Sequence, residues 1–120
     1  MSKDVESIKR VEKPWGYELW WAVTESYLGK ILHVGAGHSL SYQYHNEKDE
    51  TLYLLSGKVV MEVKEKDGES EKLTLLPGES LRIPPLTRHR ITALVDSDIV
   101  EVSTAHPDDV VRLKDDYGRV

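Results

Sequence analysis

The chain has no cysteine among its 120 residues, which excludes disulfides, thiolate catalysis and a thiolate-bound structural zinc. No apolar run approaches membrane-spanning length, and the start, Met1 to Lys13, is charged where a secretory leader is apolar. The expectation is a cytoplasmic protein without a membrane partner. There is no basic excess either. Against 16 Lys and Arg stand 21 Asp and Glu, interspersed, for a net charge of −5, so nucleic acid is not an expected partner. Side-chain amides are scarce: Asn46 is the only Asn and Gln43 the only Gln.

What the chain does have is a regular series of short β-forming runs between turn signals. They are Tyr17 to Val23, Tyr27 to Val34, Leu40 to His45, Thr51 to Leu55, Lys58 to Lys64, Glu71 to Leu76, Glu79 to Ile83, Arg88 to Val95 and Asp98 to Ser103. Asp67-Gly68 and Pro77-Gly78 read as turns between them. Helical periodicity is missing through this body. The length allows one domain with a modest core, residues 1–120, and the strand count fits an all-β jelly-roll barrel, a double-stranded β-helix. Residues 1–12 read as an extended leading segment and 107–120 as a tail packed on the barrel. Asp108 to Leu113 fits a helix with an acidic first turn and a short added strand equally well.

Within this pattern one stretch carries chemistry. Between Gly37 and Gly57 lie Gln43, His45 and Glu50, and His89 follows the Pro84-Pro85 turn. Gln43 and His45 are two apart and share a face of their strand, while Tyr42 and Tyr44 take the other. Asn46 to Asp49 reads as a turn, with Glu50 opening the returning strand and facing back toward His45. Imidazole, carboxylate and amide oxygen together suit one divalent ion, with zinc first and manganese, iron, cobalt or nickel compatible. Four protein ligands leave open positions for water or a substrate oxygen. His33, His38 and His106 lack such partners and read as packed or solvated. Trp15, Trp20 and Trp21 read as core or interface residues, and a homodimer is expected.

The segments Gly37-His-Ser-Leu-Ser-Tyr-Gln43-Tyr-His45 through Glu50 to Gly57, and Gly78 through Ile83-Pro84 to His89-Arg90, resemble the two motifs of the cupin superfamily. Within it the chain is most similar to the type II mannose-6-phosphate isomerase domain, through Gln43 in the first ligand position, Pro14-Trp15-Gly16, and the tail Asp108-Asp109-Val110-Val111-Arg112 with Asp116-Tyr117-Gly118-Arg119. It departs from that pattern at Thr51-Leu52, at Leu86 where the subgroup has a Gly, and at Ala93. The resemblance implies metal binding by Gln43, His45, Glu50 and His89. It places Lys48, Arg112 and Arg119 at catalytic or phosphate-gripping positions, with a phosphorylated hexose as substrate. Two functions follow: a metal-dependent isomerase interconverting mannose 6-phosphate and fructose 6-phosphate, or a small metal-binding cupin that binds a sugar or other small ligand without turning it over.

Overall fold

A computed structural model describes Val5 and residues 7–120. Among the described residues the regular elements are eleven strands: β1 Lys9–Lys13, β2 Gly16–Val23, β3 Tyr27–Val34, β4 Tyr42–Tyr44, β5 Glu50–Ser56, β6 Val59–Lys64, β7 Glu71–Leu75, β8 Ser80–Ile83, β9 Arg88–Ala93, β10 Ser97–Thr104 and β11 Val111–Lys114. Nine of them coincide, within a few residues, with the runs picked out by composition. Two differ. β1 is a charged segment paired antiparallel with β2, and the tail resolves into a strand, β11, paired with β4.

The strands form two sheets, one of six in the order β1-β2-β3-β10-β5-β8 and one of five in the order β11-β4-β9-β6-β7. The expected closed jelly-roll barrel is not formed, because neither sheet closes on itself and each keeps two edges. The corners show why. β8 and β9 lie in different sheets and are joined through Pro84-Pro85, which supply no backbone N–H to carry a ladder around the bend. The Asn46 to Asp49 link likewise crosses between sheets, so β4 and β5 do not form the hairpin that the turn signal implied.

Cross-strand register sets the polarity of the space between the sheets. Glu18, Leu32, Ile99 and Leu54 lie side by side across β2, β3, β10 and β5, and the next inward row is Trp20, Lys30, Glu101 and Leu52. A third row holds Leu28, Ser103, Glu50 and Ile83. The buried core joins Leu32, Leu54 and Ile99 of the larger sheet to Val59, Met61, Ile91 and Ala93 of the smaller. At about 25 cal/mol per Å² of apolar burial, such a cluster is the main term holding the sheets together. Polar rows in the same interior open a cavity beside it.

Candidate metal centre

His45 follows β4, Glu50 opens β5 and His89 lies in β9, so the group joins the two sheets. All three are buried, and one ligand atom from each lies within 4.8 Å of the others. Glu50 Oε1 is 3.2 Å from His89 Nε2 and 3.5 Å from His45 Nε2. Two ligands about 2.1 Å from one ion and 90–110° apart are separated by about 3.0–3.4 Å, so the spacing fits a shared cation.

The hydrogen bonds on the far side of each ring fix its tautomer. His89 Nδ1 donates to Thr87 O at 2.9 Å, and His45 Nδ1 donates to Asp109 O. A carbonyl oxygen only accepts, so each ring carries a proton on Nδ1 and turns its Nε2 toward Glu50. Two Nε2 atoms and a carboxylate oxygen converging in this way can share one cation. The donor set therefore fits a divalent ion, whose bonding would supply Lewis acidity and coordination positions for ligand oxygens.

Gln43 lines the same cavity, pairs with His89 across β4 and β9, and donates its amide weakly to Ser41 O at 3.4 Å. Lys48 is buried and stands 3.0 Å from Glu50 Oε2 and 3.0 Å from Glu101 Oε2. Burial opposes its charge, but the Glu101 and Glu50 carboxylates outweigh burial and raise its pKa. Burial also pushes Glu50 up, yet the imidazoles and Lys48 hold it well below the usual carboxylate range. Glu101 moves the other way: burial and the Glu50 charge raise it more than Lys48 and Lys30 lower it. Among the described residues no donor makes an aligned hydrogen bond to Glu101 Oε2.

The two tail arginines separate in role. Arg119 lines the cavity, but its guanidinium is bound to Asp115 through Nε at 2.9 Å and a terminal nitrogen at 2.8 Å. Arg112, paired with Gln43 across β11 and β4, also lines the cavity and has a buried Nε without a partner among the described residues. His33 instead bonds Asp98 on the outer face, His38 bonds the Tyr117 hydroxyl and His106 lies near Glu47. Trp15 is buried, Trp20 lines the cavity and Trp21 is exposed on the outside.

Sequence reasoning missed Glu18, Lys30 and Glu101, each a charged residue at an inward position of an otherwise apolar strand, which was the available signal. Lys30 and Glu101 are cross-strand partners, and Glu18 lies 3.7 Å from Lys30. It missed Asp109 as well. That carboxylate accepts the backbone N–H groups of Asn46, Glu47 and Lys48 at 2.9, 2.7 and 2.9 Å. Burial works against it, but the three donors bring its pKa down to about 2.

An all-β double-sheet protein with a buried His-Glu-His group opening on a polar cavity is a metal-site class of fold. Residues 30–107 match the family model described as Cupin domain, and the chain belongs to that family. It is 32% identical over 60 residues to acireductone dioxygenase of Bacillus pumilus (strain SAFR-032), an overlap of 50% of this chain and 34% of the relative. In fold it is similar to oxalate decarboxylase from Bacillus subtilis at pH 4.6 (TM-score 0.79, 16% identity, 88% of this chain and 30% of that one). It is also similar to CapF with the inhibitor 3-isopropenyl-tropolone (TM-score 0.74, 20% identity, 91% of this chain and 34% of that one). The chain thus spans about a third of these relatives' lengths. None of these relatives is a mannose-6-phosphate isomerase, and what they show is the cupin family.

Proposed function

We propose that the protein is a metal-binding cupin that takes a small anionic, oxygen-rich ligand at a divalent ion held by His45, Glu50 and His89. One observation carries the reading: both imidazoles are held with Nδ1 donating to a carbonyl, so their Nε2 atoms converge with Glu50 Oε1 at a spacing that one divalent ion would fill. Gln43 is the fourth ligand in this proposal, and zinc the first candidate metal.

The charge and shape of the cavity support the ligand class. Its volume is about 370 Å³, within the usual range for small-molecule sites. Five cationic and five anionic side chains line it, so a divalent ion leaves an excess of two positive charges for an anion to offset. Arg112, with an unpartnered buried Nε, is placed to grip the end of that anion, since its planar fork matches a carboxylate or phosphate. Oxalate and tropolone, named with the similar structures, are both small ligands that offer two oxygens to one ion. The isomerase reading has less support, because Arg119 is tied to Asp115 and Lys48 to two carboxylates.

The test is calorimetric. Metal-free protein is titrated with zinc, manganese and cobalt, and oxalate is then titrated into the metal-loaded and metal-free forms. One ion per chain and oxalate binding that requires the ion are expected. Binding of oxalate with equal strength in the metal-free form would overturn the proposal, as would failure of every metal to bind.

A further inference from the structure

Away from the metal ligands, a second set of polar groups lines the same cavity. Trp20, Lys30, Glu101 and Leu52 lie side by side across β2, β3, β10 and β5, and Glu18 precedes Trp20 by two residues on the same face. Lys30 is 5% exposed and Glu18 9%. Their neighbours in the adjoining row, Leu32 and Ile99, are apolar. A buried ion pair is often no more stable than apolar residues of similar volume, so packing of the sheets does not call for these charges.

The Lys30 ammonium is left without hydrogen bonds among the described residues. Glu18 Oε1 stands 3.7 Å from its Nζ, beyond hydrogen-bond length. That oxygen is already taken by Trp20 Nε1 at 2.9 Å, while Glu18 Oε2 has no partner among the described residues. The Trp20 ring lies 4.2 Å from Lys30 Nζ and covers the ammonium on one side. The indole thereby holds both groups in place. What faces the cavity is a set of N–H donors beside an acceptor oxygen.

We infer that Lys30 and Glu18 form a hydroxyl-binding subsite, and that the ligand held at the ion is a polyhydroxy acid whose far end lies there. The inference rests on the reading of an anion at the ion given above. A hydroxyl accepts from the ammonium and donates to the carboxylate at once. A second carboxylate on the ligand fits less well, because Glu18 and Glu101 already flank Lys30 and like charges repel. An apolar end would leave a buried ammonium without the hydrogen bonds its burial demands. Length agrees. Glu50 lies two residues before Leu52, and Leu52 lies two strands from Lys30, so about 4.8 Å per strand and about 3.4 Å per residue set the two backbones about 12 Å apart. A two-carbon diacid at the ion leaves that distance uncrossed, whereas a sugar acid extends along it.

Calorimetry on the zinc-loaded full chain tests this with acids that share one 2-hydroxycarboxylate head: D-gluconate, 2-hydroxyhexanoate and 2-hydroxyadipate. D-gluconate is expected to bind about 10-fold more tightly than either of the others, since a site built to hydrogen-bond a hydroxyl rejects analogues that lack it. Lys30→Met and Glu18→Gln are each expected to abolish that preference with zinc content unchanged. The two variants change the cavity charge in opposite directions, so a purely electrostatic role moves them apart and a shared hydroxyl moves them together. No preference for gluconate in the wild type, or a preference kept in either variant, overturns the inference. Where Lys30→Met fails to fold, the wild type and Glu18→Gln decide. Oxalate is the control: a protein that binds oxalate at the ion without preferring gluconate fails this inference alone, and one that binds neither fails the site reading as well.

Discussion

Lys48 and Glu50 divide one carboxylate between two tasks: Lys48 Nζ takes Oε2 at 3.0 Å, leaving Oε1 to the two imidazoles. Glu101 holds the lysine from its other side. Lys48→Met removes the cation between two buried carboxylates, and leaving a buried charge uncompensated costs about 3–5 kcal/mol. A loss of that order in urea unfolding of the metal-free protein is expected. Added zinc should restore part of it, because an ion that binds only the folded state stabilises that state. Equal stability of variant and wild type would remove Lys48 from this account.

His45→Ala and His89→Ala act on the ligands directly. Neither residue belongs to the apolar cluster between the sheets, so the β circular-dichroism signal should persist. Metal content after dialysis should fall to near zero in both. Variants that retain the ion at wild-type strength would show that it is bound elsewhere.

Asp109 acts at one remove from the ion. Its carbonyl orients His45, and its carboxylate gathers the N–H groups of the crossing link that carries Lys48. Partners of this kind typically contribute 10–100-fold to metal affinity. Asp109→Ala keeps that carbonyl but releases the three N–H groups that fix its position, so zinc binding should weaken by up to about 10-fold in a chelator competition, without removal of any ligand.

The same residue sets an acid limit. Its folded-state pKa is depressed to about 2 from 3.8, so its contribution is fully present above pH 4 and is lost as pH falls toward 2. Urea stability measured from pH 5 to pH 2 should therefore fall more steeply for the wild type than for Asp109→Asn. Parallel curves would mean that the three backbone donors contribute nothing to its ionisation.

Leu86 has φ 69°, in the left-handed region that favours glycine, and its N–H donates to His45 O at 2.7 Å. It is 45% exposed, so truncation gives up little burial. Leu86→Gly relieves about 1–2 kcal/mol of backbone strain against about 0.5–1 kcal/mol of glycine entropy. A gain of under about 1 kcal/mol is expected in thermal unfolding, with metal affinity unchanged.

How far the sequence alone reached can be traced through particular residues. The density of β-branched, aromatic and aliphatic residues between turn signals in Tyr27 to Val34 and Asp98 to Ser103 was enough to find β3 and β10. It was not enough to find β1, whose residues Lys9-Arg-Val-Glu-Lys13 have no apolar face and are strand only because β2 offers an edge. His45, Glu50 and His89 were legible because their residue types and turn-framed spacing point to metal. Lys30 and Glu101 were not, since what makes them a pair is the register between β3 and β10, which no local pattern encodes. Openness of the sheets was equally hidden, because strand count says nothing of which edges pair.

The hold of Asp109 on His45 ties the site to the end of the fold. Asp109 and β11 follow His45, Glu50 and His89 in chain order, so the carbonyl that aims the first ring is supplied by a segment beyond all three side chains. The aim of that ring therefore depends on the docking of this later segment against the two sheets.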